Sequence, residues 1–219
     1  MSFPSFLSFV SLLSLLLLPF FFILSILLPL LFPTIIHHPY PPSTRKENKT
    51  VMLAGSFNPP HLGHFKMLQY LSQRFTKVYA VVGFNPKKTY PVPPSDRLTL
   101  LKSLTSNLPN VTPILVSGLI WRWASQNKIS IMFRGIRTWS EDGRDENYLH
   151  FQNLFFPWFL GPITVPIKTL FLEGSKDTRH ISSTVVRKLC EGDKIAELEE
   201  LVGKGSGEEV KRFYGKKGK

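Results

Sequence analysis

The chain holds a single cysteine, Cys190, so no disulfide can close within it. That agrees with a reducing compartment, and no Cys/His cluster has the spacing of a zinc site. Carboxylates are scarce: 15 Asp and Glu stand against 27 Lys and Arg, a formal net charge of +12 over 219 residues. Much of the excess lies near Arg45 and in the C-terminal stretch that carries Lys211, Arg212, Lys216, Lys217 and Lys219, which reads as a solvated tail. Nucleic acid or an anionic membrane surface could attract such ends, but no helical pattern interleaves basic and aromatic residues in the way that reads nucleic acid, so no nucleic-acid partner is expected.

Charge is missing altogether from Met1 to His38. The apolar stretch from Phe6 to Phe32 exceeds the roughly 20 residues that cross a bilayer. It lacks the basic n-region of a signal peptide and outruns the usual apolar core of about 7–15 residues. It is neither amphipathic nor Arg-rich, as a mitochondrial leader would be. The expectation is a hydrophobic segment over residues 1–38 with a transmembrane helix, kinked or shortened by Pro19 and Pro29. Arg45, Lys46 and Lys49 follow it, and the positive-inside rule then faces the remainder to the cytosol. A leader or a wrong gene start would instead leave a cytoplasmic protein.

Residues 39–49, rich in Pro and charge, read as a linker. Residues 50–204 read as one domain and 205–219 as a basic tail. Within the domain, strand-like runs alternate with helical patterns. Strands are expected at Val51–Ala54, Val78–Val82, Val111–Val116, Ile129–Phe133 and Thr169–Leu172. Helices are expected at Phe65–Phe75, from an N-cap at Ser95 through Leu104, at Leu119–Asn127, Asp142–Phe156, Ser183–Cys190 and Lys194–Val202. Such alternation implies an α/β fold, a Rossmann-like doubly wound parallel sheet of five strands. Ligands bind beyond the C-terminal ends of such strands.

The residues at those ends suit phosphate. After the first strand come Gly55-Ser56-Phe57-Asn58-Pro59-Pro60-His61-Leu62-Gly63-His64, a Gly-containing turn that opens a helix. Free N–H groups and the helix dipole attract anions there, and two histidines spaced by three flank the spot. After the second strand comes Asn85-Pro86-Lys87-Lys88, after the fourth Arg134-Gly135-Ile136-Arg137, and after the fifth Thr178 to Thr184. Each set alone has an ordinary explanation as cap or solvated loop. Four of them on one edge of a sheet point to a polyphosphate site.

Gly55 to His64 resembles the T/HxGH signature of the nucleotidyltransferase superfamily. Ile181-Ser182-Ser183-Thr184-Val185-Val186-Arg187 resembles its ISSTxxR-type signature, in the matching order and separation. Within that superfamily the chain most resembles phosphopantetheine adenylyltransferases, through Arg134-Gly135-Ile136-Arg137, the Lys87-Lys88 loop with Arg97 downstream, and Gly192-Asp193 with Leu198, Leu201 and Val210. The resemblance implies AMP transfer from ATP to 4'-phosphopantetheine, with Mg²⁺ carried by ATP. His64, Lys88 and Ser56 would be catalytic. Ser56, Phe57, His61, Gly63, His64, Gly135, Ile136, Arg137, Glu146, Thr178, Ile181, Ser182, Ser183 and Thr184 would bind ATP. Ser56, Lys87, Lys88, Ile120, Arg134 and Asn153 would bind the acceptor. No residue is implied as a protein metal ligand, and a homo-oligomer is left open.

Asn58 stands where bacterial members commonly carry Asp, and His61 where many carry Thr or Asn. Phe155 to Pro166 is longer and more aromatic than that pattern. Three other readings share much of the motif set: an adenylyltransferase acting on nicotinamide or nicotinic acid mononucleotide, with Trp121 or Trp139 stacked on a pyridine; a cytidylyltransferase; and a membrane-tethered nucleotide-binding protein without turnover. The tryptophans otherwise read as packing.

Overall fold

The computed structural model describes residues 17–22, 24, 32–43, 45–83, 89–160, 167–192 and 194–215. Residues 1–33 and 34–219 form two separate compact units. In the first, residues 17–22 are helical. Among the described residues no helix is long and apolar enough to cross a membrane. The transmembrane helix expected over residues 6–32 is therefore unsupported, and most of that stretch lies outside the described residues.

The second unit is a parallel sheet of six strands rather than five, wrapped by helices. The strands are β1 (Thr34–Ile36), β2 (Glu47–Gly55), β3 (Phe75–Gly83), β4 (Val111–Val116), β5 (Ile131–Ile136) and β6 (Lys168–Glu173), in the order β1-β6-β5-β2-β3-β4. The helices are α1 (Leu62–Arg74), α2 (Pro94–Leu104), α3 (Ile120–Gln126), α4 (Trp139–Leu160), α5 (Ser183–Cys190), α6 (Ile195–Val202) and α7 (Gly207–Tyr214). The chain runs outward from β2 to β3 and β4, then crosses back to β5 and β6. Strand order thus reverses between β2 and β5, where Ala54 faces Arg134 across the ladder.

β2 shows why the sheet is buried on both sides. Val51 and Leu53 point into one core with Met67, Leu68 and Leu71 of α1. Met52 and Ala54 point into the other, with Trp121 and Ala124 of α3. This is the period-2 alternation of a strand with apolar residues on both faces. Two glycines let helices approach it. A Cβ on Gly135 would lie 2.6 Å from the Met67 sulfur, and one on Gly83 would lie 2.9 Å from the end of Ile120.

Several expectations shift. α1 ends at Arg74, and Phe75 already belongs to β3, buried at 2% exposure. α2 begins at Pro94, whose fixed φ suits the first helical position, so Pro93 rather than Ser95 is the N-cap. β1 falls inside the expected 1–38 segment and pairs with β6, Thr34 opposite Leu170. Part of the expected linker is β2. The rest crosses α1: Tyr40 lies 4.5 Å from the Tyr70 ring and donates to the Glu173 carbonyl oxygen. The expected tail contains α7, whose Val210 and Tyr214 are buried against α5 and α6.

Candidate active site

β2 stops at Gly55 because the chain must turn sharply. Phe57 takes a left-handed backbone (φ 44°), with its ring buried against Gly55 and 4.8 Å from the ring of His64. His61 then caps α1 in extended conformation. The first turn of α1 holds no acidic residue, so its N-terminal partial charge is uncompensated.

The two histidines face one another, ring centroids 3.8 Å apart. The His61 backbone N–H donates to Nδ1 of His64 at 3.3 Å. Nδ1 therefore acts as acceptor, and the proton of a neutral ring sits on Nε2. Burial pushes the His64 pKa down to about 4, and burial followed by the neighbouring His64 holds His61 well below the usual histidine range. At neutral pH the pair is uncharged, and His64 is a hydrogen-bond donor through Nε2–H. Nδ1 of His61 is buried with no hydrogen-bond partner among the described residues. Gly63 leaves room for the His61 ring, which a Cβ would approach to 3.0–3.1 Å and push aside.

The second signature is tied to the first. Ser182 caps α5, accepting from the Val185 N–H at 3.3 Å. The Ser183 hydroxyl donates to the Pro59 carbonyl at 2.9 Å, and Arg187 donates to the Asn58 carbonyl and to Thr184 Oγ1. Thr178 is buried, bonded to Ser175, and its carbonyl lies 3.9 Å from where a Gly63 Cβ would be. The buried Ile181 closes that turn through its N–H to the Thr178 carbonyl. Lys66 in α1 pairs with Asp177 across the same gap. Ser56, Phe57, His61, Gly63, His64, Thr178, Ile181, Ser182, Ser183 and Thr184 are thus brought together.

The β5 corner is adjacent but internally satisfied. Arg134 donates through Nε and Nη2 to the Glu146 carboxylate (2.9 and 2.8 Å) and through Nη1 to the Ala54 carbonyl (2.9 Å). Arg137 bonds Asp142 twice, through its backbone N–H (2.7 Å) and Nη2 (2.6 Å). Ile136 is buried, and its carbonyl accepts from the Gly174 N–H. Gly135 is filled over by Met67. Arg134 and Glu146, expected to meet different ligands, hold each other.

Two expected acceptor contacts separate. Ile120 starts α3 at the end of β3, against Gly83. Asn153 does not reach this edge: it is buried beside Met132 and Thr169, near the N-terminal ends of β5 and β6. Lys87 and Lys88 lie outside the described residues. Trp121 is 4% exposed, and Trp139 packs edge-on to Phe171 at 5.3 Å, so packing accounts for both. Among the described residues no group of three or more His, Cys, Asp or Glu could hold a metal ion.

Three residues that shape the site were not among the expected site residues. Arg187 was visible as part of the second signature. Tyr214, which donates to Asn58 Oδ1 at 2.8 Å, sits in the stretch read as tail. Arg97, which donates to the Ser56 carbonyl, lies on the buried stripe of α2 with Leu100 and Leu101; a charge in an apolar stripe was its signal.

Comparison with known proteins gives the family and the fold. A model of the cytidylyltransferase-like family matches residues 52–189. The phosphopantetheine adenylyltransferase of Haemophilus ducreyi is 31% identical over 140 residues, which cover 64% of this chain and 82% of that protein. That of Symbiobacterium thermophilum is 28% identical over 140 residues, covering 62% and 79%. Nicotinic acid mononucleotide adenylyltransferase of Plasmodium falciparum, solved with NaAD, superposes with a TM-score of 0.52 at 12% identity, over 76% of this chain and 96% of that one. At that identity the likeness is one of fold.

Proposed function

The chain belongs to the cytidylyltransferase-like family of nucleotidyltransferases and is an adenylyltransferase, and from that premise we propose that it transfers AMP from ATP to 4'-phosphopantetheine, giving dephospho-CoA and pyrophosphate. The observation that carries the chemistry is the direct joining of the two signature turns, Ser183 to Pro59 and Arg187 to Asn58, around a neutral His64. The choice of acceptor is supported by the curated relatives, at 27–31% identity.

In this reading the acceptor phosphate oxygen attacks the α-phosphorus of ATP in line. A new P–O bond forms as the bond to pyrophosphate breaks, and the electron pair leaves with pyrophosphate. The acceptor brings its own anionic nucleophile, so no protein base is needed. The protein positions the groups and stabilises charge. His64 donates Nε2–H to an α-phosphate oxygen as its charge rises. The α1 N-terminus and Ser56 take up phosphate oxygens, and Ser182 and Ser183 line the far side of the nucleotide. Arg134 meets the acceptor phosphate by exchanging one Glu146 oxygen for it. Mg²⁺, with no carboxylate cluster among the described residues to hold it, would be bound by ATP oxygens and water and would neutralise the leaving group.

Acceptor specificity tests the proposal. Purified protein is incubated with MgATP and phosphopantetheine, nicotinic acid mononucleotide or nicotinamide mononucleotide, and with MgCTP and a phosphoalcohol. Pyrophosphate release with phosphopantetheine alone is expected; release with a mononucleotide alone assigns the other branch, and ATP binding without release under any acceptor leaves a sensor. The proposal also keeps the fold on the cytosolic side of a membrane through residues 6–32. Alkaline carbonate should then leave the full chain in the membrane pellet, and release into the supernatant removes that part.

A further inference from the structure

Arg97, the fourth residue of α2, has 0% of its surface exposed. Nη1 donates to the Ser56 carbonyl oxygen, and the guanidinium lies over the Tyr90 ring, 4.3 Å from Cζ to centroid. Nε and Nη2 are buried with no hydrogen-bond partner among the described residues. Among the described residues no carboxylate pairs with it. Two partly buried guanidinium groups in this neighbourhood are spent differently: Arg134 on a carboxylate, and Arg187 on a carbonyl and a hydroxyl.

A buried cation without a counter-charge is costly. Burial lowers the Arg97 pKa, yet arginine stays charged in proteins. Among the described residues its one hydrogen bond goes to the backbone of the turn between β2 and α1. The anion that turn is shaped to take is a polyphosphate. We propose that Arg97 is a positioning residue for the nucleotide polyphosphate: through the Ser56 carbonyl it fixes the Gly55–Phe57 turn, and its unpaired charge stands behind that turn as the counter-charge to the leaving pyrophosphate portion of ATP. It acts through Ser56 and the field rather than by touching substrate. The inference rests on adenylyl transfer at this site and is independent of the acceptor.

The test uses the full chain and two variants. Arg97→Met keeps length and removes charge; Arg97→Lys keeps charge and shortens the donor. Calorimetry measures binding of magnesium pyrophosphate, MgATP and AMP, and thermal unfolding is followed without ligand. Arg97→Met is expected to unfold within a few degrees of wild type or above it, since it removes an unpaired buried charge. It should lose tenfold or more in affinity for pyrophosphate and ATP and less than threefold for AMP, with KM for ATP raised more than kcat is lowered. Arg97→Lys should recover most of the pyrophosphate affinity. Unchanged pyrophosphate affinity in Arg97→Met, an equal loss for AMP, no recovery in Arg97→Lys, or a Met variant too unstable to fold would each overturn the proposal and make Arg97 a structural prop. No probe contains an acceptor, so a wrong acceptor leaves these outcomes unaltered. Wild-type protein that binds neither pyrophosphate nor ATP would remove the adenylyl-transfer reading itself.

Discussion

The turn that opens α1 and the turn that opens α4 sit side by side on the sheet and manage charge in opposite ways. α1 has no acid in its first turn, two neutral imidazoles beside it, and an unpaired guanidinium behind it. α4 carries Glu141 and Asp142 in its first turn, with Arg137 folded back onto them and Arg134 locked to Glu146. The first corner is left positive and waits for an anion. The second has its arginines already paired with carboxylates, and an incoming phosphate there has to compete with them. A corner of the first kind binds and activates; one of the second kind sets conditions on what it binds.

The difference can be broken at its strongest point. His64→Ala should lower kcat by about 10²–10³, the scale of one lost donor to developing charge, with the ATP dissociation constant changed only a few-fold. Equal losses in both would remove the transition-state role of Nε2–H. At the other corner, Arg134→Gln leaves the Glu146 carboxylate buried and unpaired. Denaturant titration should show a loss of about 3–5 kcal/mol; a loss under 1 kcal/mol would mean the pair holds nothing.

pH separates the corners next. His64 ordinarily titrates near 6.5 and is held near 4 in the fold. Above about pH 6.5 both folded and unfolded forms are neutral and the group contributes nothing to pH dependence. As pH falls from there toward 4, the unfolded chain takes up a proton that the folded chain resists, and stability drops, by an order of 3 kcal/mol over the whole interval. His64→Gln should lessen that slope, and what remains is the share of His61, also held below the usual histidine range. The smallest effect is expected at Arg137→Ala. Its partners Glu141 and Asp142 are partly exposed, so the loss should stay under about 1 kcal/mol, and a larger figure would mark Arg137 as part of the buried frame.

The central strands and the two signatures were legible because apolar runs bounded by Gly, Pro and Ser carry their own punctuation. α5 falls where the pattern puts it, with Ser182 as cap. β1 was not legible: Thr34-Ile35-Ile36 continues an apolar run with no polar contrast at which to cut it. α7 was legible only through the resemblance that placed Val210 with Leu198 and Leu201; pattern alone missed it for the opposite reason. Glu208, Glu209, Lys211 and Arg212 surround Val210 and Tyr214, so its narrow apolar stripe passed for a charged tail. The carboxylate partners of the β5 arginines were not legible, because sequence names a side chain but not its direction. Glu146 lies twelve positions from Arg134 and reaches it only because α4 folds back along the sheet. Asn153 went the same way, carried by that helix past the site to the far ends of β5 and β6.

β1 also bears on how the protein is handled. It occupies the outer edge of β6 along Leu170, Phe171 and Leu172. A chain trimmed to begin at Lys46 would expose that row of backbone donors and acceptors as a template on which strands of other molecules could add. The short segment from Thr34 to Ile36 thus guards solubility, and an expression boundary chosen to discard the apolar N-terminus should fall before it.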